Sequence, residues 1–470
     1  MAISPNNRKE NIKKLEALAQ EVLSLKKQYR QRRPIVIEFC GSPKAGKTSS
    51  INSLNIFLKR NGFKTTILTE RASVCPIPDK ESPTFNVWTC SSTINEINTE
   101  ISKANLAEGM GPDIIICDRG IFDALCWFRW LKSRNKMDES EYNTLSEFAL
   151  LNRWQRNIDL VYVFVADPEE SIRREYANLL TDKRGSIMRE DILEEYRKSI
   201  MDTLNEYKDA FRATSIINTT NMEQNSVGYQ VTEKTLQTLK EMLMEKIGFV
   251  KSSNLKLVSG INCYREICHG FKEIQYDLRD SVEERADYIQ PIAIAVVLSK
   301  SGDKILCVKK TEQSTKPDSP ESGQTLLYVG GHMRKEDESR ESRDFLDVLR
   351  NTLQREILEE LGISLAISKE EIPFVIYTPD NEKSKKHLAI GWIVYIDEET
   401  KLRLDSYELV QRKGKSKSGT FVPFDNVTAS DIKLESWSRT ILLDILSDKL
   451  TDTQRFILQG SNSEQIRLDI

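Results

Sequence analysis

Short apolar runs and amphipathic stretches alternate through the first half of the chain. Pro34-Ile35-Val36-Ile37-Glu38-Phe39-Cys40, Thr65 to Leu68, Asp113 to Cys117, Leu160 to Val165 and Ser215 to Ile217 read as strands. Runs this short and apolar, bounded by turn residues, suit strands covered on both faces. The spacing between them is helical, as in Ile51, Leu54, Phe57 and Leu58, which stop at Asn61-Gly62. Strand and helix in alternation predict an α/β class with a doubly wound parallel sheet of five strands. Upstream, Leu15, Leu18, Val22, Leu25 and Tyr29 form one apolar seam on a Lys- and Glu-rich stretch. Two heptads are too few for a coiled coil, so this helix is expected to dock onto the adjoining domain. After an amphipathic stretch with Val231, Leu236, Leu239 and Leu243, Lys251-Ser252-Ser253-Asn254 is a polar break. The expected organisation is a helix at 1–32, a domain at 33–248 and a second at 249–470.

Composition narrows the class. The chain has 470 residues, 30% charged and 39% hydrophobic, with a net charge of -3, as expected for two or three globular domains. So even a balance gives no sequence-wide sign of a nucleic-acid partner. Met1 to Arg8 lacks the apolar core of a secretory signal. The longest apolar run, Pro291 to Leu298, is far short of the roughly 20 residues that span a bilayer. Cys40, Cys75, Cys90, Cys117, Cys126, Cys263, Cys268 and Cys307 read as reduced thiols, and Cys263, Cys268 and His269 lack the paired spacing of a zinc site. A cytoplasmic location without membrane partners is expected, and self-association stays open.

The first strand runs straight into Gly41-Ser42-Pro43-Lys44-Ala45-Gly46-Lys47-Thr48-Ser49, a complete Walker A pattern. Its glycines let backbone N–H groups close round phosphate oxygens, Lys47 adds a point charge, and the Thr48 hydroxyl suits magnesium. The third strand ends in Asp118-Arg119-Gly120 at the carboxyl edge of the sheet, where such folds bind ligands. Asp118 is a candidate magnesium ligand and Arg119 a fork for a substrate phosphate; capping of the next helix is the alternative. With Glu70-Arg71 after the second strand and Arg173-Arg174 after the fourth, residues 33 to 247 resemble the thymidylate kinase and deoxynucleoside kinase group. That resemblance implies ATP as phosphoryl donor, Glu70 contacting or activating the acceptor, Arg119 holding it, and a basic lid. Arg184 and Arg189 are lid candidates, with solvated surface arginines an equal account. Trp88 reads as core or as a stacking platform. Nucleoside and nucleoside monophosphate both stay open as acceptors, as does ATP binding without transfer.

The sharpest polar cluster is Arg355-Glu356-Ile357-Leu358-Glu359-Glu360-Leu361-Gly362-Ile363. On a helix Glu356, Glu359 and Glu360 stand at i, i+3 and i+4 on one face, either a solvated acidic face or a set of ligands for one hard cation. Preceded by Gly330-Gly331-His332, this stretch resembles a Nudix box, and the similarity runs over about residues 255 to 448 through Tyr288-Ile289-Gln290-Pro291, Lys386-His387-Leu388 and Leu434-Glu435-Ser436-Trp437. It implies an α/β/α Nudix fold and magnesium- or manganese-dependent cleavage of a nucleotide diphosphate linkage. It further implies Glu356, Glu359, Glu360 and the Gly331 carbonyl as metal ligands, and Arg355 as their orienter. The base would be one of these glutamates or a carboxylate outside the box; Glu435 is a candidate, or else a helix cap beside a core Trp437. His332 and His387 read as structural. One departure stands out: ordinary spacing puts a glycine at 341 and a glutamate at 347, where this chain has Glu341 and Asp347. Met333 to Arg343 therefore reads as a charged insertion.

Together these features suggest a bifunctional nucleotide enzyme with Mg2+ at both sites. An alternative makes the P-loop half an ATP or nucleotide sensor that regulates the hydrolase. A third, by analogy with such fusions, is a role in nucleotide sanitation or phage defence.

Overall fold

The computed structural model describes residues 5–28, 33–106, 111–178, 185, 187–312, 321, 323–338, 344–405, 408–410, 419–429 and 432–465. The chain divides into two compact units, Met1–Met244 and Glu245–Ile470.

In the first unit, β1 (Ile35–Gly41), β2 (Thr65–Leu68), β3 (Ile114–Asp118), β4 (Leu160–Val165) and β5 (Thr214–Asn218) form one sheet in the order β2-β3-β1-β4-β5. Every pairing is parallel. All residues of β1 and β4 are buried, which explains their unbroken apolar character. The helices that matter here are α1 (Pro5–Gln28), α2 (Lys47–Arg60), α3 (Pro83–Leu106), α4 (Ile121–Ser133), α5 (Pro168–Asn178), α6 (Glu190–Tyr207) and α7 (Gln224–Leu243). The apolar seam of α1 docks as expected: Leu15, Ala19 and Val22 are buried in one cluster with Val231, Leu236 and Leu239 of α7. Tyr29 of that seam lies outside the described residues.

The division between units falls ahead of the expected boundary at 248/249. The reason is that β6 (Lys246–Lys251) pairs with β8 (Gln275–Leu278) and β9 (Tyr288–Ser299). The polar stretch Lys251–Asn254 is thus a strand end and 3-10 turn inside the second unit. The remaining strands of that unit are β7 (Gly260–Asn262), β10 (Lys304–Cys307), β11 (Val329–His332), β12 (Phe374–Tyr377), β13 (His387–Ile396) and β14 (Thr420–Pro423). They make a mixed sheet, β14-β10-β9-β13-β12-β7, with β11 and β6 also on β9. The mixed α/β class expected for both halves holds. β9 runs parallel to β13 from Gln290–His387 to Ser299–Ile396. Pro291, which has no N–H to give a ladder, falls between the β6 partner Ile289 and the β11 partner Ile292. Helix α8 (Phe345–Leu361) carries the acidic cluster and buries Leu349, Leu353, Ile357 and Leu361 completely. Its start is capped by Asp344, which accepts from Leu346 N at 3.1 Å. Among the described residues no helix is long and apolar enough to cross a membrane. Cys40, Cys90, Cys117, Cys126 and Cys307 are buried cysteines, whereas Cys263 is exposed.

Candidate active sites

The phosphate loop of the first unit is built where β1 passes close to β4. A Cβ on Gly41 would lie 2.0 Å from the Phe164 carbonyl oxygen, and its φ is +117°, so no other residue fits. That same oxygen accepts from Ser42 N at 2.8 Å. The loop then passes Lys44 and Gly46, both with positive φ, into α2, leaving Thr48 and Ser49 exposed in its first turn. Pro43 and Ala45, on either side of the exposed Lys44, are buried. The Lys47 ammonium is buried and donates to Gly41 O at 3.0 Å and Ser42 O at 2.8 Å. Burial, then the charge of Arg119, lowers its pKa to about 8. Outside clamps hold the loop's shape. Thr219 Oγ1 donates to Ala45 O at 2.9 Å and Arg174 Nη1 to Lys44 O at 3.2 Å. Lys44 itself turns to Glu175 of α5, at 2.6 Å.

Beside the loop, Glu70 and Arg119 meet although they follow different strands. Arg119 Nε lies 2.7 Å from Glu70 Oε1, and its Nη1 forks onto both Asp123 oxygens at 3.0 Å. Asp123 also accepts from Trp127 Nε1 at 3.1 Å. Neither Asp118 nor Arg119 caps the backbone N–H groups at the start of α4, although Arg119 grips Asp123 in its first turn. Glu38, buried mid-way along β1, accepts from Phe122 N at 3.1 Å and Asp123 N at 2.9 Å. Burial pushes the Glu38 carboxyl up to about 7. Asp118 is half-buried at the sheet edge, where burial raises its pKa and the Lys47 charge opposes that.

The expected lid is not assembled from the described residues. Arg189 precedes α6 and pairs with Asp191 at 2.7 Å, both well exposed. Arg184 lies outside the described residues. Arg173 likewise stays on the surface with Glu170, so of that pair only Arg174 reaches the loop. Trp88 is half-buried on α3.

In the second unit α8 lies against β11, and the glycine pair lets it come close. A Cβ on Gly331 would meet the Glu356 carboxyl at 2.5 Å. Glu356 and Glu360 are buried, while about a third of the Glu359 side chain is exposed. The three carboxylates share a face, but they do not converge on one point. Glu356 is 2.5 Å from Arg355 Nη1, and Glu359 lies 3.4 Å from Arg355 and 3.5 Å from Arg334. Glu360 has other partners, Lys310 Nζ at 2.6 Å and Gly330 N at 3.1 Å. Among the described residues no group of three acidic, His or Cys side chains is gathered as a metal site. Three cationic side chains offset the repulsion that the sequence alone left to a divalent ion. Burial raises the Glu360 pKa, against the charge of Lys310.

The charged insertion turns out to be structured where it is described. Arg334 leads a 3-10 turn, Lys335–Asp337, that brings the buried Asp337 onto α8. Arg355 donates to it through Nε at 2.8 Å and Nη2 at 2.9 Å. Burial works against the Asp337 charge, yet Arg355 holds its pKa below the usual carboxylate range. Asp347, at the box's expected acid position, pairs instead with Arg350 at 3.0 Å. Position 341 lies outside the described residues.

Glu435 caps a short helix, accepting from Ser438 N at 3.1 Å beside the buried Trp437, and burial raises its pKa to about 7. His332 shares a hydrogen bond with Gln290 at 3.0 Å, and burial lowers both His332 and His387, the latter to about 4. Both rings are therefore neutral near pH 7, in keeping with structural roles. Sequence reasoning missed Glu38, Asp123, Thr219, Lys310, Arg334 and Asp337. Only Asp123 had a local signal, since it lies four residues after Arg119 in sequence, although Arg119 itself precedes the helix with a φ of +69°.

No family profile and no curated protein matches the chain. Among solved structures, Tm1382, a protein proposed to be a Nudix hydrolase, is similar at 18% identity and a TM-score of 0.30. The match covers 43% of this chain and 99% of that one. Deoxyadenosine kinase from M. mycoides, with its products dCMP and a flexible dCDP bound, is similar at 16% identity and a TM-score of 0.33. Here the shares are 43% of this chain and 100% of the kinase.

Proposed function

We propose that the chain is a bifunctional nucleotide enzyme. The first unit transfers the γ-phosphoryl group of ATP to a nucleoside or nucleoside monophosphate, and the second hydrolyses a diphosphate linkage in a nucleotide. The observation that most supports this is the meeting of Glu70 with Arg119 beside a complete phosphate loop. In the transfer step the Glu70 carboxylate takes the proton of the acceptor hydroxyl while that oxygen bonds to the γ-phosphorus and ADP leaves. Lys47 exchanges the carbonyls of Gly41 and Ser42 for phosphate oxygens. Arg119 holds the acceptor end.

The Thr48 hydroxyl and Asp118 are oxygen donors of the kind magnesium takes, and in the second unit Glu356, Glu359, Glu360 and the Gly331 carbonyl would hold it only once the glutamates are drawn together from their cationic partners. When bound, such an ion supplies neutralisation of phosphate charge and a more acidic water. Glu359, the most solvent-open of the three glutamates, takes the proton of the attacking water as its oxygen bonds to phosphorus and the nucleoside phosphate departs.

The test is incubation with ATP, magnesium and a panel of nucleosides and their monophosphates. Appearance of ADP with a phosphorylated acceptor is expected; absent or acceptor-independent turnover would sink the transferase reading. A parallel panel of nucleotide diphosphate compounds tests the hydrolase, whose activity should vanish in Glu359→Gln and survive in Lys47→Ala. A second reading, nucleotide binding without transfer, is favoured by one observation: Arg189 is committed to Asp191 at the surface rather than to a lid.

A further inference from the structure

We infer that Asp337 is the residue that positions the catalytic glutamates through Arg355, replacing the acid that ordinary spacing would place at 347. The inference rests on the hydrolase reading above and assigns to the insertion a part in that site.

The Arg355 guanidinium is a junction of four groups, with Glu359 at 3.4 Å from Nη1 the most distant. Asp337 takes Nε and Nη2, the His332 carbonyl at the end of β11 takes Nη2 at 3.0 Å, and Glu356 takes Nη1 at 2.5 Å. A planar fork held on one side by a bidentate carboxylate has a fixed direction on the other. Asp337 is itself fixed. It is 2% exposed, its Oδ2 accepts from Arg334 N at 2.9 Å and Thr352 Oγ1 at 2.8 Å, and Asn351 Nδ2 donates to its carbonyl at 3.0 Å. The chain of contacts therefore runs from a tight turn, through Arg355, to the carboxylate that lies against Gly331. Asp347 stands on the same helix but is turned to Arg350 and, more distantly, Lys369. The segment that reads as an interruption of the motif supplies the support that the motif lacks.

Such supporting acids typically change metal affinity or activity by about 10- to 100-fold when removed. Asp337→Asn should therefore lower kcat for diphosphate cleavage by at least about 10-fold with KM little changed, while Asp347→Asn stays within about twofold of wild type. Because Asp337 acts through Arg355, the double variant Asp337→Asn/Arg355→Lys should be no slower than the slower single one. Additive losses would reduce Asp337 to a structural role and overturn the inference, as would an Asp347→Asn defect larger than that of Asp337→Asn. Manganese titration followed by electron paramagnetic resonance gives a readout free of turnover, with about 10-fold weaker binding expected in Asp337→Asn and equal binding refuting the inference. A wild type that binds manganese but cleaves nothing in the panel fails the hydrolase reading alone. Should Asp337→Asn not fold, Thr352→Val removes one of its supports and keeps its charge; a several-fold lower kcat supports the inference and a wild-type kcat overturns it.

Discussion

Arg119 joins Glu70 to Asp123, so one guanidinium links the residue after β2 to the first turn of α4. If Glu70 is the base for transfer, Glu70→Gln should slow ADP formation by about 100-fold or more without weakening ATP binding. Calorimetric titration with ATP alongside a coupled ADP assay separates the two effects. Arg119→Lys should also slow transfer, because an ammonium cannot serve both carboxylates with a planar fork.

Glu38 gives the first unit an inverted pH dependence. Its folded-state pKa is raised from 4.5 to about 7, so between those values the native state holds a proton that the unfolded chain has released. The stabilisation from protonated Glu38 is complete below 4.5 and is lost as pH rises through about 7. The difference amounts to roughly 3 kcal/mol. Thermal melts from about pH 5 to about pH 8 should show wild type losing stability relative to Glu38→Gln. Parallel curves for the two proteins would argue that the carboxyl is ionised throughout.

Lys310 lies against the buried Glu360, with Glu408 at 3.5 Å. Removing one member of a buried pair leaves the other uncompensated. Lys310→Met should therefore cost about 3–5 kcal/mol in urea unfolding of the second unit. Adding Glu360→Gln should restore part of that loss, since the stranded charge is gone.

For Glu435 the cap predicts a defect of stability rather than of chemistry. Glu435→Ala should cost about 1 kcal/mol or somewhat more, while Glu435→Gln should keep kcat for diphosphate cleavage within a few-fold. A fall of 100-fold or more in the glutamine variant would restore it as a base.

Much of this fold was legible because it is written in local pattern. The buried runs of β1 and β4, the turn at Asn61-Gly62 and the seam at Leu15 to Val22 each have a period or a stop signal, and all three appear where expected. The glycines at 41, 330 and 331 sit where a neighbour comes too close for a Cβ, and Gly46 sits where the backbone φ is +93°. The partners of charged residues were not legible. Arg355 meets Asp337 across 18 positions and Arg119 meets Glu70 across 49, and charge carries no period that would announce such pairings. For the same reason the spacing of Glu356, Glu359 and Glu360 predicted a shared face but not the cations that draw them apart. Near the expected boundary at 248, Lys251-Ser252-Ser253-Asn254 has the polarity of a linker and the position of a turn.

The docking of α1 also has a temporal side. Its buried face packs with α7, and Glu21 pairs with Lys240 across 219 positions of sequence. At a synthesis rate of about 5–20 residues per second, α1 leaves the ribosome roughly 10–40 seconds before its partner exists. For that interval Leu15, Ala19 and Val22 present an apolar stripe with no native surface to cover it, so a nascent chain halted before α7 should be a client for chaperones that the finished unit is not.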